Sequence, residues 1–155
     1  MSASSTTRRT ATTVLTAGAM VCAVALPASA AHDGGRHRTP KVEISRVQAD
    51  SSGRDDRTNR SLNAEWVEIT NTTRHAVNLK GWTLRNEDGH RYRFNNVRLA
   101  SRSSIRIHTG EGRDTRTDLY QDRHTYVWDN RSDTATLRDD RGRTVDNESW
   151  GHHRR

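Results

Sequence analysis

From Val42 onward, apolar and polar residues alternate in short runs separated by turn-forming residues. Val42-Glu43-Ile44 predicts a first strand. Leu62 to Asn71 is the clearest run: Val67 and Ile69 share one face, and Glu68 and Thr70 take the other. The pattern returns at Ala76–Leu79, Trp82–Leu84, Tyr92–Phe94, Val97 with Leu99, Ser104–His108, Thr125–Trp128, Thr134–Leu137 and around Thr144–Asp146. Gly81 permits a tight bend, while Asn86-Glu87-Asp88-Gly89 and Asp139-Asp140-Arg141-Gly142 have the composition of hairpin turns. Asp50–Ser61 and Thr109–Asp118 are polar without periodicity and predict long surface loops. Nowhere do apolar residues keep helical spacing for three turns. About eight or nine short strands joined this way predict an all-β, Ig-like antiparallel β-sandwich.

The first thirty residues follow a different rule. Arg8 and Arg9 precede an uncharged stretch from Ala11 to Leu26, and Pro27 is followed by Ala28-Ser29-Ala30. This is the order of an export signal with cleavage after Ala30. A retained anchor needs roughly 20 apolar residues, and this run is shorter and broken by Thr12, Thr13 and Thr16. A lipoprotein reading would acylate Cys22, but Ala19-Met20-Val21 is a poor leader to it. Arg8-Arg9 leaves a twin-arginine route beside the default of general secretion. The expected organisation is a signal peptide over 1–30, a polar arm over 31–40, one domain over 41–150 and a basic, histidine-bearing tail over 151–155. The expected location is extracellular, in solution or on the cell wall, with no membrane span after cleavage.

Composition sharpens this picture in two places. Cys22 is the only cysteine and falls inside the signal, so the exported chain has no disulfide, thiolate metal site or cysteine nucleophile. The sequence carries 26 Lys+Arg against 19 Asp+Glu, a net +7, and loses Arg8 and Arg9 with the signal. Lys41 and Lys80 are the only lysines, and both signs are spread along the chain. That spread suits a solvated exterior; the excess of arginine also suits attraction to polyanions such as DNA or acidic wall polymers.

Glu65-Trp66-Val67-Glu68-Ile69-Thr70-Asn71, then Leu79-Lys80-Gly81-Trp82-Thr83-Leu84, then Tyr92-Arg93-Phe94, then Asp133-Thr134-Ala135-Thr136-Leu137 before Asp140-Arg141-Gly142, closely resembles the lamin-tail domain family in its secreted bacterial form. The likeness spans Val42 to Trp150. One departure is Ser101-Arg102-Ser103-Ser104, standing where the family has a Pro-Gly type turn. The resemblance implies an Ig-like sandwich and a non-catalytic role in recognition or scaffolding. The ligand it implies is an envelope component, a protein or nucleic acid, and it calls for no cofactor.

The residues allow that role. Trp82 and Trp128 are expected in the core. Trp66 alternates away from Val67 and Ile69 and is the best candidate for a surface aromatic. Asn71 ends its strand before Thr72-Thr73 and is expected to shape a turn through its side chain. Arg91 and Arg93 alternate away from Tyr92 and Phe94; Arg98, Arg102 and Arg106 follow closely. These five form the candidate polyanion-binding set. The eight histidines are scattered, and the adjacent pair His152-His153 lies in the tail. Asp139-Asp140 and Glu87-Asp88 sit beside glycines in turns, where Asp is expected for backbone reasons. No nucleophile elbow, HExxH, phosphate loop or EF-hand spacing occurs, so no catalytic or metal residue is assigned. The alternative is a small extracellular hydrolase or nuclease whose His and Asp residues meet only on folding.

Overall fold

The structure is a computed structural model that describes residues 41–51 and 55–151. The expected signal peptide over 1–30 and polar arm over 31–40 lie outside the described residues, as does the expected tail over 151–155 apart from Gly151. Among the described residues, ten strands and one short helix run in the order β1 (Val42–Gln48), α1 (Asn59–Ala64), β2 (Trp66–Asn71), β3 (Val77–Asn78), β4 (Thr83–Arg85), β5 (Arg91–Arg93), β6 (Arg98–Leu99), β7 (Ser104–His108), β8 (Asp118–Tyr120), β9 (Asp133–Arg138) and β10 (Thr144–Trp150). They form one sheet β1-β2-β7-β8, a second sheet β10-β9-β4-β5, and a two-stranded ribbon β3-β6. All pairings are antiparallel except β7 with β8. The all-β sandwich expected from the alternation is therefore present.

Period-two alternation decides which side chains meet between the sheets. Val67 and Ile69 of β2, Ile105 and Ile107 of β7 and Leu119 of β8 point inward from one sheet; Leu84, Ala135 and Leu137 point inward from the other. Leu79, Phe94 and Leu99 fill the end near the ribbon. Full burial of each large apolar side chain contributes about 1.5–3 kcal/mol. With no cysteine after Cys22, this packing carries the stability that disulfides would otherwise supply. Trp128 is buried and lies 5.9 Å from the ring of Trp150; Trp82 is half-buried against the same core.

On one side the sheets are joined through their edges. A bulge at Ile44/Arg46 in β1 lies opposite a second bulge at Thr144/Asp146 in β10, and the Ile44 amide donates to the Asp146 carboxylate at 2.7 Å. The edge of β8 is blunted by its own loop, because the Asp118 amide donates to Thr115 Oγ1 and the Tyr120 amide to Asp114. Backbone groups so occupied cannot template another strand.

Three local expectations are corrected. Asn59–Ala64 is helix rather than loop and strand: Thr58 caps it by accepting from the Ser61 amide, and Asn59 and Asn63, one turn apart, both donate to the Glu111 carbonyl. Gly110 makes this docking possible, since a Cβ there would stand 2.4 Å from the Asn59 amide oxygen. Asp118–Tyr120 is strand, paired parallel to β7. Thr125–Trp128 is not strand, because the Val127 and Trp128 amides donate to the Glu65 carboxylate instead of to a neighbouring strand.

Candidate polyanion-binding face

The outward faces of the two sheets differ in how they use charge. On the first sheet, Glu68 of β2 and Arg106 of β7 are register partners and form an ion pair at 3.0 Å. The Arg106 guanidinium also lies 4.4 Å over the ring of Trp66. His108 bridges the Asn63 carbonyl and Asp118 and stacks on Tyr120 at 5.2 Å. The Thr117 hydroxyl first, and then His108, holds the Asp118 carboxyl below its usual range. Glu68 and Arg106, and His108 and Asp118, are paired with one another on this face, while Arg46 of β1, opposite Glu68, is exposed without an ion pair among the described residues; Trp66, half-buried, is covered by an arginine rather than free.

The second sheet gathers several arginines with no carboxylate among them. Alternation turns Leu84, Tyr92, Ala135 and Leu137 inward, so Thr83, Arg85, Arg91, Arg93, Thr134, Thr136 and Arg138 point outward. Tyr92 and Phe94 meet edge to face at 5.0 Å on the inner side. Register lines up two rows across the sheet: Arg93, Thr83, Arg138, Thr144 and Arg91, Arg85, Thr136, Asn147. Four guanidinium groups and three threonines occupy those eight positions, and no carboxylate does. Among the described residues, Arg85, Arg91, Arg93 and Arg138 have no ion-pair partner within 4 Å. Arg138 donates to the Gly142 carbonyl, and its buried Nε has no partner. The acidic boundary begins one row further on, where Thr134 donates to Glu87.

The five arginines expected to act together are thus distributed over several surfaces. Arg91 and Arg93 belong to the outward face of the second sheet. Arg98 is exposed on the ribbon, Arg102 occupies a turn at φ 55°, and Arg106 is in the paired face of the first sheet. Arg85 and Arg138 are the additions. Alternation across Thr83-Leu84-Arg85 and Thr136-Leu137-Arg138 contains the signal that places them, but only the strand order brings them beside β5.

A buried carboxylate fixes the segment that borders this face. Glu65, fully buried, accepts from Thr109 Oγ1 and from the Val127 and Trp128 amides. At the other end of the same loop, the Arg123 amide donates to the Thr109 carbonyl. Burial pushes the Glu65 carboxyl up to about 7, against those hydrogen bonds. A raised carboxyl can mark a general acid, but Glu65 is closed off from solvent and its oxygens are occupied, so its part is positional. Asn71, also buried, donates to the carbonyls of His75 and Ala100 and accepts from Thr73, which makes it the turn-shaping residue expected from its place in the sequence. Among the described residues no group of three or more His, Cys, Asp or Glu side chains is placed to hold a metal ion; His152 and His153 lie outside them.

Comparison with known families returns the Lamin Tail Domain, whose model matches residues 36–152. No curated protein matches the chain.

Proposed function

The chain belongs to the lamin tail domain family, and from that premise we propose that it is an exported, non-catalytic binding module that holds an anionic polymer against the outward face of β5, β4 and β9. The observation that carries this reading is the pair of rows in which four arginines and three threonines stand without a carboxylate. Uncompensated arginine on a rigid sheet attracts phosphodiesters, and neighbouring hydroxyls can donate to the same oxygens. Nucleic acid is the polymer that tests it most simply. Export rests on Arg8-Arg9, the apolar run and Ala28-Ser29-Ala30, and no described helix is long and apolar enough to cross a membrane. Recovery of extracellular protein beginning at Ala31 is the expected outcome in the producing cell.

Duplex DNA titrated into the protein should bind at low salt. Replacing Arg85, Arg91 and Arg93 together by Ala should weaken binding at least 10-fold, while Arg106→Ala, already paired with Glu68, should change it less than 2-fold. Equal losses from the two variants would contradict the assignment of the face. DNA hydrolysis abolished by a chelator or by a single His or Asp substitution would contradict the non-catalytic reading.

A further inference from the structure

At the free edge of β5, a recess of about 380 Å³ is lined by Arg85, Gly89, His90, Arg91 and Arg123. Arg85 and Arg91 are direct register partners. The Asn86 amide donates to the His90 carbonyl beside them, which makes Arg85 and Arg91 the non-hydrogen-bonded pair, the closer of the two antiparallel spacings. Like charges in that relation repel each other. Arg123 adds a third guanidinium, held by its amide on the Thr109 carbonyl and by Nη2 on the Arg91 carbonyl at 3.3 Å. Among the described residues, none of the three has a carboxylate within 4 Å. Asp88 and Asp122, though close in sequence, do not line the recess.

His90, which lines the recess, has a ring nitrogen that can donate. Its amide donates to Asn86 Oδ1 at 2.8 Å, which identifies the other Asn86 terminus as the NH₂ group. That group donates to the Val127 carbonyl and approaches His90 Nδ1 at 3.3 Å. A nitrogen that accepts there leaves the ring proton on Nε2. A Cβ at Gly89 would meet nothing within 4 Å, so the rim is open on that side.

We infer that this recess is a binding site for a phosphate monoester, the terminal phosphate of an anionic polymer, gripped by Arg85, Arg91 and Arg123 with a donor from His90. The inference deepens, and rests on, the reading of the adjoining face as a polymer-binding surface. Guanidinium forks match the oxygens of a phosphate group in geometry as well as charge. A monoester presents three terminal oxygens and ends in the recess, whereas a diester has two and must pass through it.

The test compares one short duplex carrying 5′-phosphates with the same duplex carrying 5′-hydroxyls, together with inorganic phosphate and glycerol phosphate as small probes. The 5′-phosphorylated duplex should bind at least 5-fold more tightly, and Arg123→Ala should erase that preference while leaving the hydroxyl duplex within 2-fold. Inorganic phosphate should shift the His90 ring resonances in the wild type and not in Arg123→Ala; displacement by glycerol phosphate but not glycerol would identify the monoester itself as the ligand. Equal affinity for the two duplexes, with no response of His90 to phosphate, overturns the inference and leaves the wider face in place if Arg93→Ala still weakens both. If neither duplex binds at all, the wider reading fails, and the phosphate titration of His90 still decides the recess. Thermal unfolding of Arg123→Ala, with Arg85→Ala as a second variant on the other wall, establishes that a lost preference is not lost folding.

Discussion

Two buried polar side chains organise the loops of this sandwich, and each makes a distinct prediction at the scale of the residue. Glu65 has two carboxylate oxygens for three donors, from Thr109, Val127 and Trp128, yet burial dominates and raises its carboxyl to about 7. The folded chain therefore holds a proton that the unfolded chain, with an ordinary carboxyl near 4.5, has released. Stability from this group is fully present below pH 4.5 and is lost as pH rises to about 7, by about 3 kcal/mol. The opposing gain from Asp118 and Asp129, whose carboxyls lie below their usual range, is complete at lower pH. Urea unfolding should thus show stability falling between pH 5 and pH 8. Glu65→Gln should flatten that slope and be less stable at pH 5, because its NH₂ group would face the Trp128 amide. A wild-type profile flat across this range would contradict the role given to Glu65. Asn71 donates to the His75 and Ala100 carbonyls and accepts from Thr73. Asn71→Ala should cost about 2–3 kcal/mol by removing the several hydrogen bonds of a buried side chain, measured by denaturant unfolding. Asn71→Asp should cost at least as much, since it brings acceptors to acceptors.

At the scale of the element, a single strand separates stability from binding. On β9, Leu137 is fully buried and Arg138 turns outward; on β5, Tyr92 faces in and Arg93 out. Leu137→Ala should cost about 2–5 kcal/mol through lost burial and the cavity left behind, whereas Arg93→Ala should stay within about 0.5 kcal/mol; calorimetric unfolding of the two variants checks both. The strong alternations, β2 and β7 above all, were legible in the chain because each buries one face only. The misread elements have a common physical cause: partners distant in sequence decide them. Val127 and Trp128 alternate like a strand, but their amides are taken by a carboxylate more than sixty residues away. Asn59–Ala64 is too short and polar to show helical periodicity, and becomes a helix by capping on Thr58 and docking over Gly110. Asp118–Tyr120 has one apolar residue, Leu119, and acquires its strand character from β7.

At the scale of the whole molecule, the two outward faces account for where charge is available. The chain disperses positive and negative residues along its length, which in sequence looks like an evenly solvated exterior. Folding sorts them: Glu68 pairs with Arg106 and Asp118 with His108 on one face, and Arg85, Arg91, Arg93 and Arg138 collect on the other without carboxylates between them. Arg91 and Arg93 could be named from alternation alone, but Arg85, Arg138 and Arg123 required the order β10-β9-β4-β5 and the loop anchored at Thr109. The most direct measurement is the salt dependence of duplex DNA binding. Three or four phosphates neutralised by this face give a log–log slope of about −3 to −4, so affinity should fall about 100-fold between 50 and 200 mM salt. Replacing Arg85, Arg91 and Arg93 by Ala should reduce that slope to about −1. Salt-independent binding, or a slope unchanged by the triple replacement, would contradict the account.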